Sequence, residues 1–489
     1  MNAQERTAQF IHDLVWEDVP EPVRRTARMC LVDSAGATLA GTVTRVSQIG
    51  ADYAAATWPG EEATILLHGR RASPVGAAFA NGCASNAIDI DDSARYAYGH
   101  AGAQIFPTAL AVAEAEGLSG AEMLAGMVVG YEVAHRVGRC WHASRSVYQG
   151  CGSWGSVACA AVAAHLMHLL PAQAAHALGI AEYHAPNIPM MRDVDHPAMV
   201  KHGVPWAAMT GVISAGLARR GFTGIPGILT LAERPATGGN EFQEWGRDIG
   251  EHFLMADGVA WKSEGLAFCG WAHAGVLGAQ RLVEQYRIPL DEIVHIRVEG
   301  NHGTASLPKG LPTTTEEAQF NEAWPLAAML LDGEVGPAQM LEERLADPRI
   351  RSLAQKVEVV ETRELEHLRE LFEQGDPRGR FAGRVVITLA DGREVDSGLV
   401  DSGLSFPPSG WDQERMSHKF EWLAATVLPE TDVQPVLETL WRFERLTNVR
   451  EWTSGLAPAV RGRNVPPPAG MFHGMFNGAR WTGGEARHE

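Results

Sequence analysis

Chemistry in this chain concentrates first in Asn86-Ala-Ile-Asp89-Ile-Asp91-Asp92-Ser93, followed by His100. Three carboxylates within four residues repel one another, and burying them shifts their pKa values unless cations or protons compensate. The spacing suits a general acid/base group or a divalent-metal site. It equally suits a helix C-terminus with a solvated acidic turn. A second cluster is Met199-Val-Lys201-His202-Gly203, ahead of Val-Pro-Trp-Ala-Ala-Met. A lysine at a helix start opposes the helix dipole, so an anionic ligand or a nearby carboxylate is needed to favour it. The alternative is a surface lysine. A third cluster is Trp261-Lys262 with Phe268-Cys269-Gly270-Trp271-Ala272-His273. It lies where the character of the chain changes, and clefts between domains are where ligands bind. The plain reading of Cys269 is a small buried hydrophobe.

The elements that must position these residues are mostly helices up to about residue 270, where apolar residues recur at spacings of three and four. Ser119 and Glu122 stand at capping-box spacing before Met-Leu-Ala-Gly-Met-Val-Val-Gly-Tyr. Pro171 opens a helix, and Gly221 closes one running from about His202 to Arg220. Near 290 the pattern changes to period two. Ile293, His295 and Arg297 alternate with Val294, Ile296 and Val298, and residues 383–398 read as a hairpin about Asp391-Gly392. Helical segments lie between these strands and return after about 410. From about 455 the text is rich in Pro and Gly.

The 489 residues carry 59 acidic and 41 basic side chains, a net charge of −18, which speaks against a nucleic-acid footprint but not against a small anion held by a few local cations. Six cysteines (Cys30, Cys83, Cys140, Cys151, Cys159, Cys269), with no Cys-x-x-Cys pair, are too few for a disulfide scaffold. No apolar window is long enough to span a membrane and no signal-peptide core is present, so a cytoplasmic protein is expected. Asp-x-Asp-Asp in a helical chain also suggests a terpene cyclase, but aromatics are only 7% and a cyclase cavity is aromatic-lined. A metal-dependent hydrolase would use Asp89, Asp91, Asp92 and His100. No second motif such as His-x-x-x-His accompanies them.

In this order, the three clusters resemble the MmgE/PrpD family, which includes 2-methylcitrate dehydratase, cis-aconitate decarboxylase and iminodisuccinate epimerase. The likeness begins at Val23–Arg28 and Leu31–Gly36. It continues through Asn86–Pro107, Gly152–Gly155, Met199–Gly224, Cys269–His273 and Ala318–Gly333. It implies a mainly α fold: a large helical domain from both chain ends (1–275 and 405–460), an α+β lid (276–404) and a tail (461–489). It further implies a homodimer and an active site between the domains. The activity implied is a cofactor-independent lyase, or alternatively an isomerase, of small di- or tricarboxylates, with no metal.

By position, the resemblance marks Asp89, His100 and Lys201 as catalytic, and Lys262, Arg192 and Ser93 as substrate-binding, with Asp92, Gln149, Cys269, His273 and Trp324 beside them. In that cast Lys201, Lys262 and Arg192 hold carboxylates, and His100 carries the proton with Asp89 or Asp92 setting its tautomer. The chain departs from the family pattern at three places, and at a fourth, Cys269, from the decarboxylase alone, since many other members share that Cys. Gln149 stands where a His is frequent, Cys269 where the decarboxylase has His, and Trp324 in place of a tyrosine. Lys262-Ser-Glu-Gly replaces Lys-Pro-Tyr-Pro. Gln cannot titrate and Trp cannot act as an acid, so dehydration, decarboxylation and epimerisation all remain open, as does a binding protein without catalysis.

Overall fold

The computed structural model describes residues 1–230, 245–373, 376–404 and 410–456; the tail expected over 461–489 lies outside them. Helices dominate, and the apolar side chains collect into two large cores. The first core is built from the helices Glu21–Gly41, Pro74–Ser85, Gly102–Glu116, Gly120–Ser144, Cys151–Leu166 and Val204–Arg219. The later helices Gln413–Ala424 and Glu430–Trp441 return to it. Ser119 and Glu122 form the capping box that their spacing predicts, and Pro171 opens its helix. Small residues let these helices approach closely. A Cβ on Gly211 would sit 2.4 Å from the Cβ of Cys159, so the Val204–Arg219 and Cys151–Leu166 helices pack almost backbone to backbone.

The second core gathers Leu266 to Leu389 around a four-stranded sheet in the order 357–361, 293–300, 382–389, 394–401. The outer strand Val357–Glu361 runs parallel to Ile293–Gly300, and the other pairings are antiparallel. The hairpin turns at Gly392, whose φ of 84° only glycine adopts readily. The first strand does not keep its simple alternation. The register shifts between Ile293 and His295, so Ile293, Ile296 and Val298 all face the core. The helix His273–Tyr286 covers this sheet.

Two crossings tie the cores together. The short helix Met190–Asp195 lies in the first half of the sequence, yet Met190 and Val194 pack into the second core. Packing changes hands between Trp261, in the first core, and Leu266, in the second, ahead of the 275/276 boundary expected from the sequence. Among the described residues no helix is long and apolar enough to cross a membrane.

Candidate active site

The acidic segment is not a solvated turn. The helix Pro74–Ser85 stops at Asn86, and Asp89, Asp91 and Asp92 are all buried. Asp89 takes a left-handed backbone, φ 52°, after the turn at 86–88, and successive carboxylates meet different partners. Asn86 donates to Asp91 Oδ1 at 2.8 Å, and the other oxygen of Asp91 faces His100 Nδ1 at 2.7 Å. The carboxylate that sets the His100 tautomer is therefore Asp91, in place of the expected Asp89 or Asp92. Asp92 points the other way. It accepts from the amide of Gly102 at 2.9 Å and from the Tyr131 hydroxyl, beneath the site, so it is not placed to bind substrate.

His100 is fixed along its backbone too: its amide donates to Cys151 Sγ and its carbonyl accepts from Gln104. Its Nε2 lies 3.2 Å from Asp89 Oδ1. Burial alone would lower the His100 pKa, but Asp91 and Asp89 outweigh it and raise it, favouring a protonated imidazole.

Lys262 reaches the same carboxylate. A two-residue ladder pairing Ser93–Ala94 with Val259–Ala260 brings it beside the acidic segment, with Ser93 half-buried there. Lys262 Nζ sits 2.9 Å from Asp89 Oδ1 and also donates to the carbonyls of Asp89 and Phe268. Its charge is spent on the protein. Burial would raise the Asp89 pKa, yet Lys262, His100 and Lys201 hold it well below the usual carboxylate range.

Lys201 is different. It precedes the helix instead of opening it, because Lys201, His202 and Gly203 are all left-handed (φ 46°, 54° and 75°). Three such residues in succession are costly for lysine and histidine, and backbone strain of this kind gathers at functional sites. The turn directs both Lys201 and His202 inward, and both are buried. Lys201 Nζ donates to Gln319 Oε1 at 2.7 Å across the two cores, and among the described residues no carboxylate lies within ion-pair distance of it. Gln319 is itself pinned by the carbonyls of Ala87 and Thr315.

The motif reading assigns no role to His202, although it stands in the second cluster, nor to Gln319 and Asp193. His202 Nδ1 faces Asp193 Oδ2 at 2.6 Å, and its ring stacks on His100 with centroids 5.4 Å apart and planes 14° from parallel. One ligand-type atom from each of Asp89, His100 and His202 falls within 4.8 Å of the others, so these three could hold a metal ion. The second histidine that no sequence motif supplied is brought in by the left-handed turn.

The remaining expected residues divide. His273 Nε2 lies 3.2 Å from the Phe268 carbonyl that Lys262 also uses, and burial with the Lys262 charge pushes its pKa down to about 3. It is a neutral support for Lys262. Cys269 borders the cluster, and burial and Asp89 push its thiol up to about 12, so it is no thiolate; its amide donates to the Gln319 carbonyl. Gln149 is structural: its Oε1 accepts from the amide of Ile188 at 3.0 Å, clamping the chain ahead of Met190–Asp195. Arg192 is exposed, while its neighbour Asp193 turns inward to His202. Trp324 is fully buried in the second core, its indole N–H on the Gln339 carbonyl, and it does not line the cluster. The cluster itself is nearly closed, with His100 only 13% exposed. A surface cavity of about 160 Å³ between Thr64–Arg71 and Thr453–Leu456 lies apart from it.

The sequence matches the MmgE/PrpD N-terminal domain over residues 5–236 and the MmgE/PrpD C-terminal domain over 267–443. The chain belongs to the MmgE/PrpD family. Relatives include a cis-aconitate decarboxylase of Aspergillus terreus, 26% identical over 474 residues, covering 91% of this chain and 94% of that protein. The cis-aconitate decarboxylase of Mus musculus is 26% identical over 491 residues, covering 96% of each chain. That of Homo sapiens is 28% identical over 372 residues, covering 73% and 76%. The cluster takes Asp89, His100 and His202 from the stretch matched by the N-terminal domain and Gln319 from that matched by the C-terminal domain, whose last helices, Gln413–Ala424 and Glu430–Trp441, pack into the first core.

Proposed function

We propose that this chain is a lyase of the MmgE/PrpD type acting on a small di- or tricarboxylic acid, with decarboxylation of an unsaturated substrate such as cis-aconitate as the leading reaction. The observation that carries the reading is a buried lysine, Lys201, with no carboxylate partner among the described residues, next to an imidazole held protonated by two aspartates. A buried ammonium group with no direct ion pair is costly, and a substrate carboxylate supplies that contact. The identity of the relatives supports the same class.

In this reading Lys201 binds one carboxylate and stabilises the negative charge that spreads over the substrate as the bond to the departing carboxylate breaks. The electron pair of that bond stays on the carbon skeleton as carbon dioxide leaves. His100 delivers the proton that forms the new C–H bond and is reprotonated from solvent. Asp91 keeps the ring oriented, and Asp89 with Lys262 keeps the local charge balanced. Lys262 is a structural cation here more than a substrate ligand.

An epimerase working with two bases needs them on opposite faces of one carbon. The His100 and His202 rings instead lie nearly parallel with centroids 5.4 Å apart, which favours proton delivery to one face. The test is incubation with a panel of di- and tricarboxylic acids carrying labelled carboxyl groups, followed by carbon NMR. Labelled carbon dioxide with a vinyl product is the expected outcome. Vinyl product without carbon dioxide would move the assignment to dehydration, and ligand-induced stabilisation without any turnover would make the chain a binding protein.

A further inference from the structure

The two histidines of the cluster differ in what their ring nitrogens meet. His100 faces a carboxylate at both, with Asp91 2.7 Å from Nδ1 and Asp89 3.2 Å from Nε2, an environment that favours a proton on each nitrogen. His202 faces one carboxylate only. Asp193 Oδ2 lies 2.6 Å from its Nδ1 and also accepts its backbone amide, which fixes both ring and tautomer. The Nε2 of His202 has no hydrogen-bond partner among the described residues. A neutral imidazole with its proton on Nδ1 carries its lone pair on Nε2. One imidazole is thus set up as an acid and its neighbour as a base. A ring nitrogen of each falls within 4.8 Å of one of the other. The ring planes are 14° from parallel, so the two imidazoles do not converge on one atom but address two atoms side by side.

We propose that the site also catalyses double-bond migration in an unsaturated dicarboxylate, with His202 as the base and His100 as the acid on one face of a three-carbon allyl unit. His202 Nε2 takes a proton from the carbon between a carboxylate and the double bond. The electron pair of that C–H bond forms the new double bond to the central carbon. The pair of the old double bond takes up the proton that His100 gives to the far carbon. No atom is lost and no co-reactant is consumed. Charge that develops between the two transfers spreads onto the carboxylate at Lys201, whose buried ammonium meets no carboxylate at ion-pair distance among the described residues. His202 then returns its proton to solvent and His100 regains one. The inference rests on the lyase reading for the carboxylate at Lys201 and the acid at His100. It goes beyond that reading in giving His202 a proton to accept, since decarboxylation asks only for the acid.

The test uses the full chain in D₂O with methylenesuccinate, followed by proton NMR. Loss of the vinyl signals with growth of a methyl signal is expected, the new methyl group carrying one solvent deuterium per migration. His202→Gln should slow migration roughly 10²–10⁴-fold, the usual share of a general base. Asp193→Asn should slow it by a smaller factor, because the ring is then free to take the other tautomer. The deuterium pattern is read on the unaltered protein, so it stands even if a variant misfolds. A parallel incubation with carboxyl-labelled acids keeps the two readings apart. Release of labelled carbon dioxide without any migration would overturn this inference and leave the lyase reading intact, whereas migration without carbon dioxide would support it and remove the decarboxylase assignment. Return of the substrate's own hydrogen to the methyl group, or undiminished migration by folded His202→Gln, would also overturn it.

Discussion

At the scale of single residues, the site depends on which carboxylate meets which base. His100→Gln is expected to lower kcat by roughly 10²–10⁴-fold, the usual share of a general acid, with little change in melting temperature; steady-state kinetics and thermal melts check both. Lys201→Ala should weaken binding of a carboxylate far more than binding of its methyl ester, while Lys262→Ala should act on both alike and lower stability, since its charge is engaged by Asp89 and two carbonyls. Competition binding with the acid and its ester distinguishes these. The acidic motif, His100 and both lysines were legible in the sequence because their types and spacing are unusual in apolar text. The pairing of Asp91 with His100 was not, because the segment turns at 86–88 and passes through a left-handed residue, Asp89, so no regular period says which carboxylate faces His100. His202 was hidden for a related reason. Adjacent residues in a regular helix face different ways, and only the turn at φ 46° and 54° lets Lys201 and His202 both point inward.

At the scale of elements, the positioning devices are two turns and one buried ion pair. Gly203 has φ 75°, and a Cβ there would meet Ile188 Cδ1 at 2.1 Å. Gly203→Ala is therefore expected to cost about 1–3 kcal/mol and to lower activity by displacing Lys201 and His202, which urea unfolding and kinetics together would reveal. Lys419, on the returning helix Gln413–Ala424, pairs with buried Asp33 and donates to the Ile90 carbonyl at 2.9 Å. It anchors the acidic segment from behind. Lys419→Met leaves Asp33 without its cation, and a loss of about 3–5 kcal/mol is expected, whereas the double change with Asp33→Leu should recover part of it. Helices with caps and the Asp391-Gly392 hairpin were readable from periodicity and turn chemistry. The strand Val357–Glu361 was not, because five residues of Val and Glu carry too little pattern, and its parallel partner lies some sixty positions earlier in the chain.

At the scale of the molecule, two cores meet where Lys201 reaches Gln319 and where the Met190–Asp195 helix crosses into the second core. The change from helical to mixed text announced two parts, but sequence periodicity carries no information on which core a short helix joins. The first core also stores an electrostatic cost. Burial and the charge of Asp33 push Asp92 up to about 7, above its value in an unfolded chain of about 4. The folded state thus binds that proton more tightly, and this group's contribution makes stability fall as pH rises from about 4 to about 7. Asp92→Asn should remove the slope, so that variant minus parent stability grows by on the order of a few kcal/mol between pH 5 and pH 8, measured by urea unfolding. The most direct test of the central claim, that the Asp91–His100 pair beside Lys201 moves a proton at carbon, is proton NMR in D₂O with cis-aconitate and related acids. One solvent deuterium should enter the product at a single carbon and one face at each turnover, and the His100→Gln variant should lose it. Turnover with no solvent deuterium at carbon, or equal incorporation by the variant, would contradict the account.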